Sequence, residues 1–160
     1  MWIAGAPGAV LVLALVLAGA CLWLSFVDIA TLIIPDAATA IIAATGLAGQ
    51  LLFAPGQAVP VTIGAAALTA IFWGVGAWHY RTRGIEGLGI GDAKLIGAAT
   101  LCVGIAAIWW VLLVAALGGI VAVLARGGTR GRAVPFGPFL AYALFIVYAV
   151  QASGPRWPVP

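Results

Sequence analysis

The sequence predicts an all-α membrane protein, a bundle of six transmembrane helices with a short fourth helix and both termini on the outer side. Three observations carry that prediction. Of 160 residues, 65% are hydrophobic and 7% are charged, and the mean hydropathy of +1.23 lies far above that of soluble domains. The apolar residues fall in long runs without alternating polarity, and lipid demands that backbone groups bond within their own segment, which favours helices over barrel strands. A hydrocarbon core about 30 Å thick takes about 20 apolar residues per crossing, so five or six crossings fill the chain. A single integral-membrane domain covering residues 1–160 is expected.

The first helix runs from about Val10 to Val27 and extends at most to Ile34, because Pro35 pushes the residue before it away from helical geometry. The N-terminal "MWIAGAPGAV" holds no lysine or arginine, so it lacks the charged region of a signal peptide and the first segment is expected to be retained. "PDAATAIIAATGLAGQLLF" opens the second helix, with Asp36 as its expected N-cap, and "APGQAVP" from Ala54 to Pro60 reads as a turn. The third helix spans about Val61 to Trp78, followed by the polar loop "HYRTRGIEGLGIGD". From Ala93 to Ala125 the apolar stretch is too long for one untilted crossing, and Gly104 is the expected break between a short fourth helix and a full fifth. "RGGTRGRAVPFGP" then leads into a sixth helix from Phe139 to about Val150, and "QASGPRWPVP" reads as an extended tail.

Orientation follows from the basic residues. With the N-terminus outside, the loops after helices one, three and five or their margins hold Arg81, Arg83, Lys94, Arg126, Arg130 and Arg132, while Arg156 falls outside. That asymmetry is what the positive-inside rule expects of a cytoplasmic face. Trp2, Trp109, Trp110 and Trp157 would mark the outer boundary and Trp78 the inner one, with Trp23 and Trp73 fitting a belt less well. The net charge of +3 is too small and too mixed with apolar sequence to suggest nucleic-acid binding. "RGGTRGR" reads first as a topology determinant, with lipid headgroup contact a secondary use. Cys21 and Cys102 lie in apolar runs and form no CxxC, so buried free thiols are expected. His79 lacks the companions a metal needs. No cofactor or metal is implied.

All four acidic residues, Asp28, Asp36, Glu86 and Asp92, fall on the cytoplasmic side of this topology. Asp28 has apolar sequence on both sides, and a carboxylate in such a place costs up to about 3 kcal/mol unless it faces the bundle interior. Asp92 has two readings: it can cap the fourth helix, or it can belong to a site that Gly87, Gly89 and Gly91 open by removing side chains from the approach. Glu86 reads as a solvated loop charge or a neighbour of that site. Asp28 ends one cytoplasm-directed helix and Asp92 begins one leading back, so the two can meet at one depth. Carboxylates sharing a site retain a proton between them, leaving one as base toward water and the other as acid toward a carbonyl oxygen. This is machinery for peptide hydrolysis without a metal or a covalent nucleophile. The macrodipoles suggest that Asp28, at a helix C-terminal end, holds the shared proton more often than Asp92.

"VDIATLIIPD", "EGLGIGDAKLIGA" and "VPFGPFLA", in that order, resemble the type IV prepilin peptidases, membrane aspartic proteases with a GxGD signature, over roughly Phe26 to Ala141. The resemblance implies catalytic aspartates at Asp28 and Asp92, with signature glycines at Gly89 and Gly91. It gives supporting positions to Lys94 and Glu86. It also implies removal of a short basic leader from prepilin or pseudopilin precursors, after a glycine, at the cytoplasmic face of the inner membrane. Pro135, Phe136, Gly137 and Pro138 either start the last helix or help shape a substrate groove. Asp36 stands where the family usually has asparagine, which makes it a rival member of the pair. No paired CxxC segment of the kind associated with methylating the new pilin N-terminus occurs, so a peptidase without a methyltransferase-type domain is expected. Two other classes compete: an ion- or proton-coupled transporter component using the same aspartates, and a GxGD protease that cuts within the membrane. The oligomeric state is open.

Overall fold

The structure is a computed structural model that describes residues 7–83, 89–125 and 135–153. Among them it forms six helices and no strands: α1 (Pro7–Thr31), α2 (Asp36–Phe53), α3 (Pro55–Arg83), α4 (Ile90–Val103), α5 (Ile108–Ala125) and α6 (Gly137–Ser153). Four of them, α1, α2, α3 and α5, are long and apolar enough to cross a membrane. The remaining two are shorter: α4 has 14 residues and α6 has 17.

The short helix is the hub. α4 packs against α2, α3, α5 and α6, while α1 closes the other side against α2 and α6. Leu17, Leu24, Ile42, Leu95, Ile96 and Leu144 are among the fully buried side chains at the centre. Large apolar side chains such as Leu11, Phe26 and Leu124 face outward, as expected where the surrounding medium is lipid rather than water.

Close approach around α4 depends on small residues. A Cβ placed on Gly46 of α2 would lie 2.6 Å from the backbone nitrogen of Cys102, and one on Gly97 would run into Thr69 of α3. Cys21 and Cys102 are both buried and free, and the Cys102 thiol sits 3.3 Å from the Ile42 carbonyl oxygen.

The expected break lies at Gly104, whose φ of +84° is one that side chains other than hydrogen disfavour. A helix that ends there leaves carbonyls without partners in its own segment. Neighbouring helices answer them: the Gln50 side chain of α2 donates to the Leu101 carbonyl at 3.1 Å. Gln151 of α6 donates to that of Val103 at 3.1 Å.

Several boundaries differ from expectation. The turn read over Ala54–Pro60 shrinks to Ala54. Pro55 takes the first helical position, where its missing N–H costs nothing, and Pro60 lies inside α3. Proline within a membrane helix is tolerated because neighbouring groups can re-satisfy the freed carbonyl. α3 also continues to Arg83, so the first part of the expected polar loop is helical. α1 begins at Pro7, α4 at Ile90 and α6 at Gly137, each earlier than read. Gln151, Ala152 and Ser153, read as the start of an extended tail, are the last residues of α6, while Trp2, Glu86, Gly87, Arg126, Arg130, Arg132, Arg156, Trp157 and the rest of the tail lie outside the described residues.

Candidate active site

Asp28 lies one turn before the end of α1, and the chain reverses just beyond it. The Leu32 N–H closes the helix on the Asp28 carbonyl at 2.8 Å. Leu32 itself takes φ +56°, a left-handed conformation that costs a non-glycine residue about 1 kcal/mol or more. The reversal carries Ile34 beneath Asp28. A Cβ on Gly91 would meet Ile34 at 2.9 Å, and one on Gly137 would meet the same side chain at 3.3 Å. Ile34 thus wedges between the starts of α4 and α6, a role that its place between Thr31 and Pro35 did not announce.

The Asp28 side chain is 4% exposed. Its Oδ2 accepts the Gly137 N–H at 3.1 Å, the free donor at the first position of α6. Asp92 is half-buried and stands third in α4. Gly89 occupies the N-cap position, so Asp92 is not the cap residue but reaches back, its Oδ2 accepting the Gly89 N–H at 3.2 Å. One side chain, Ile34, borders both Gly91, next to Asp92, and Gly137, whose N–H holds Asp28. The two acids from α1 and α4 therefore lie at one site, with one oxygen of each partnered by a backbone donor at a helix start. Asp28 does stand in the last turn of α1, as expected, but the positive end of α6 also faces it through Gly137, as that of α4 faces Asp92.

Asp36 goes elsewhere. The N-cap of α2 is Pro35, and the Asp36 side chain makes no capping bond. Instead Lys94 donates to its Oδ1 at 2.8 Å, with side-chain exposures of 46% for Lys94 and 76% for Asp36. This pair stands at a groove of about 440 Å³ between α2, α3 and α4, lined by Ala43, Ala65, Thr69 and Gly97. Exposure and a committed cation separate Asp36 from the acidic site.

Pro135 and Phe136 precede α6 and line a second groove of about 360 Å³ against Gly119 and Val123 of α5. Pro138, half-buried, takes the second position of α6, where proline is at home. Glu86 lies outside the described residues. Among the described residues, no three histidine, cysteine, aspartate or glutamate side chains converge to hold a metal.

The arrangement offers two carboxylates, fixed by backbone donors, beside two glycines that keep side chains away. Residues 15–124 match the profile of the type IV leader peptidase family. The chain belongs to that family. It is 35% identical over 159 residues to the prepilin leader peptidase/N-methyltransferase of Aeromonas salmonicida (strain A449), covering 94% of this chain and 53% of that one. The protein of the same description from Neisseria gonorrhoeae is 32% identical over 133 residues, 81% of this chain and 46% of the relative. That from Burkholderia pseudomallei (strain 1026b) is 37% identical over 130 residues, 78% and 42%. The leader-peptidase chain described here spans about half the length of the curated relatives it matches. No solved structure gives a significant match.

Proposed function

We propose that this chain is a membrane aspartic endopeptidase that removes the short basic leader of prepilin-like precursors, with Asp28 and Asp92 as its catalytic pair. The observation that carries the reading is the convergence of these two acids from α1 and α4, in a chain of the leader peptidase family. One carboxylate is ionised and takes a proton from a water molecule, whose oxygen adds to the scissile carbonyl carbon. The other, protonated, gives its proton to the carbonyl oxygen. Collapse of the resulting diol breaks the C–N bond, and a proton passes to the departing amine. Neither step needs a metal or cofactor.

Gly89 and Gly91 shape the approach to Asp92, and Pro135, Phe136, Gly137 and Pro138 form the α6 start against Asp28. Lys94 and Asp36 support the fold at the neighbouring groove, and Glu86 is assigned a place near the substrate leader. The protein reads as one domain of six spans in the inner membrane, with its termini outside and the acidic site at the cytoplasmic face. There a basic leader meets the acids. The substrates are pilin or pseudopilin precursors.

Co-expression with a precursor carrying a basic leader tests this. Mass spectrometry of the product is expected to find cleavage after the leader's glycine, before the apolar helix. Asp28→Asn and Asp92→Asn, close in shape to the native side chains, are each expected to lower the rate by about 100- to 10,000-fold. Processing that persists at the native rate in either variant ends the proposal.

A further inference from the structure

The two backbone donors at the acidic site are not equivalent. Asp92 takes its bond from Gly89, three residues upstream at its own helix start, as an acid at the third helical position commonly does. Asp28 takes its bond from a residue 109 positions later in the chain, on another helix. That donor is free to be given away, since the first N–H of a helix has no acceptor within it. Pro138 follows and has no N–H to compete. The first turn of α6 is closed separately, by the N–H groups of Phe139 and Leu140 on the Phe136 carbonyl, both at 3.1 Å.

Space makes the same point. A Cβ on Gly137 would lie 2.7 Å from Asp28 Oδ2 and 3.1 Å from its Cγ, with Ile34 Cδ1 at 3.3 Å on the far side. A methyl group here would be crowded by both side chains, so either the Asp28 carboxylate or the start of α6 would have to shift, and the 3.1 Å bond between them would change.

We infer that Gly137 is a positioning residue: its N–H, reachable because it has no side chain, fixes Oδ2 of Asp28 and leaves Oδ1 to face the proton shared with Asp92. The inference rests on the reading of Asp28 and Asp92 as the catalytic pair. Of the charged groups on α4, Asp92 follows Gly91, which borders the same Ile34 side chain as Gly137. The start of α6, from Pro135 to Phe139, brings none, and Asp36 of α2 is engaged by Lys94.

The test removes the donor without adding a side chain. Cell-free synthesis of the full chain with glycolic acid in place of Gly137 turns the Phe136–Gly137 amide into an ester, which keeps the backbone shape but lacks the N–H. The sequence holds three aspartates, Asp28, Asp36 and Asp92, so labelling aspartate side-chain carboxyls with carbon-13 gives three resonances, assigned from the single Asp→Asn variants. Loss of a donor to a carboxylate is expected to move the Asp28 titration upward by about one pH unit, with Asp36 unmoved. The acid limb of precursor cleavage is expected to follow by the same amount, whereas a merely structural role would scale the profile without shifting it. Gly137→Ala, which keeps the donor but adds the methyl, is expected to move the same resonance and to lower kcat at least about 10-fold. Titration curves that superimpose on the native protein in the ester form overturn the inference, and so does a Gly137→Ala protein with native titration and kcat. The resonances need no substrate, so a chain that fails to cleave precursors defeats the functional reading while leaving this measurement intact.

Discussion

Replacing Gln50 with leucine isolates one interhelical hydrogen bond at the end of α4. Gln50 is 5% exposed, and its side-chain amide is the partner of the Leu101 carbonyl at 3.1 Å, three residues before the chain breaks at Gly104. Leucine roughly preserves the volume but has no donor. The half-buried Leu101 carbonyl then loses this partner, and leaving a sheltered acceptor unsatisfied costs about 1–3 kcal/mol. Scaled at about 2–4 °C per kcal/mol for a chain of this size, the melting temperature in detergent is expected to fall by about 2–12 °C. Gln57→Leu, on an exposed residue of α3, is the control and is expected to stay within about 1 °C, since exposed substitutions away from special features rarely exceed ±0.5 kcal/mol. A Gln50→Leu protein that melts with its control would refute the view that α4 needs a borrowed donor at its broken end.

Other substitutions test the packing and the rival acid. Gly46→Val drives a branched side chain into the backbone of Leu101 and Cys102, which cannot yield as a side-chain tip can; a loss of at least about 1–3 kcal/mol is expected, read as a lower melting temperature or a failure to accumulate in the membrane. Gly8→Ala, with open space around the added carbon, is expected to be neutral or slightly stabilising in the same assay. Asp36→Asn breaks an exposed ion pair, of a kind worth about 0–1 kcal/mol, so precursor cleavage is expected to stay within about five-fold of native. A loss as deep as that of Asp28→Asn would return Asp36 to the pair. Leu32→Gly relieves the left-handed leucine but frees the unfolded chain, two opposed effects of about 1 kcal/mol each, so its melting temperature is expected to remain within a few degrees of native.

The apolar runs gave away the helices, because in lipid a segment has few alternatives, and Gly104 announced the break by standing in a stretch too long for one crossing. The residues that meet at the acidic site were also legible, from the motifs around Asp28, Asp92 and Gly137. What stayed hidden is how helix ends find partners. Asp36 follows Pro35 and looks like a cap, yet Lys94, 58 residues away, takes its carboxylate. Asp92 also looks like a cap, but Ile90 and Gly91 join the helix ahead of it and move it to the third position. Gln50 and Gln151 are polar residues in apolar runs, and that was the available signal for them. Nothing local told which carbonyls they would serve. Pro55 and Pro60 read as a turn from dipeptide chemistry, and bilayer packing overrode that preference.

The shortness of α4 links these features. Fourteen residues rise about 21 Å, less than the roughly 30 Å of a hydrocarbon core, so a helix of this length with one end at a membrane boundary stops with the other in apolar surroundings. The far end requires side-chain donors from outside the helix, and α2 and α6 supply them through Gln50 and Gln151. The near end presents its own free N–H groups, and Gly89 gives one to Asp92. α6 repeats the device at Gly137 for Asp28. Each acid therefore stands against the start of a helix, where backbone dipoles stabilise negative charge, and among the described residues neither stands in an ion pair. A lysine or arginine placed there would favour the ionised form of one carboxylate and compete with proton exchange. Helix starts hold the acids by one oxygen each, and the second oxygen of each is the one through which the proposed peptidase chemistry would exchange a proton.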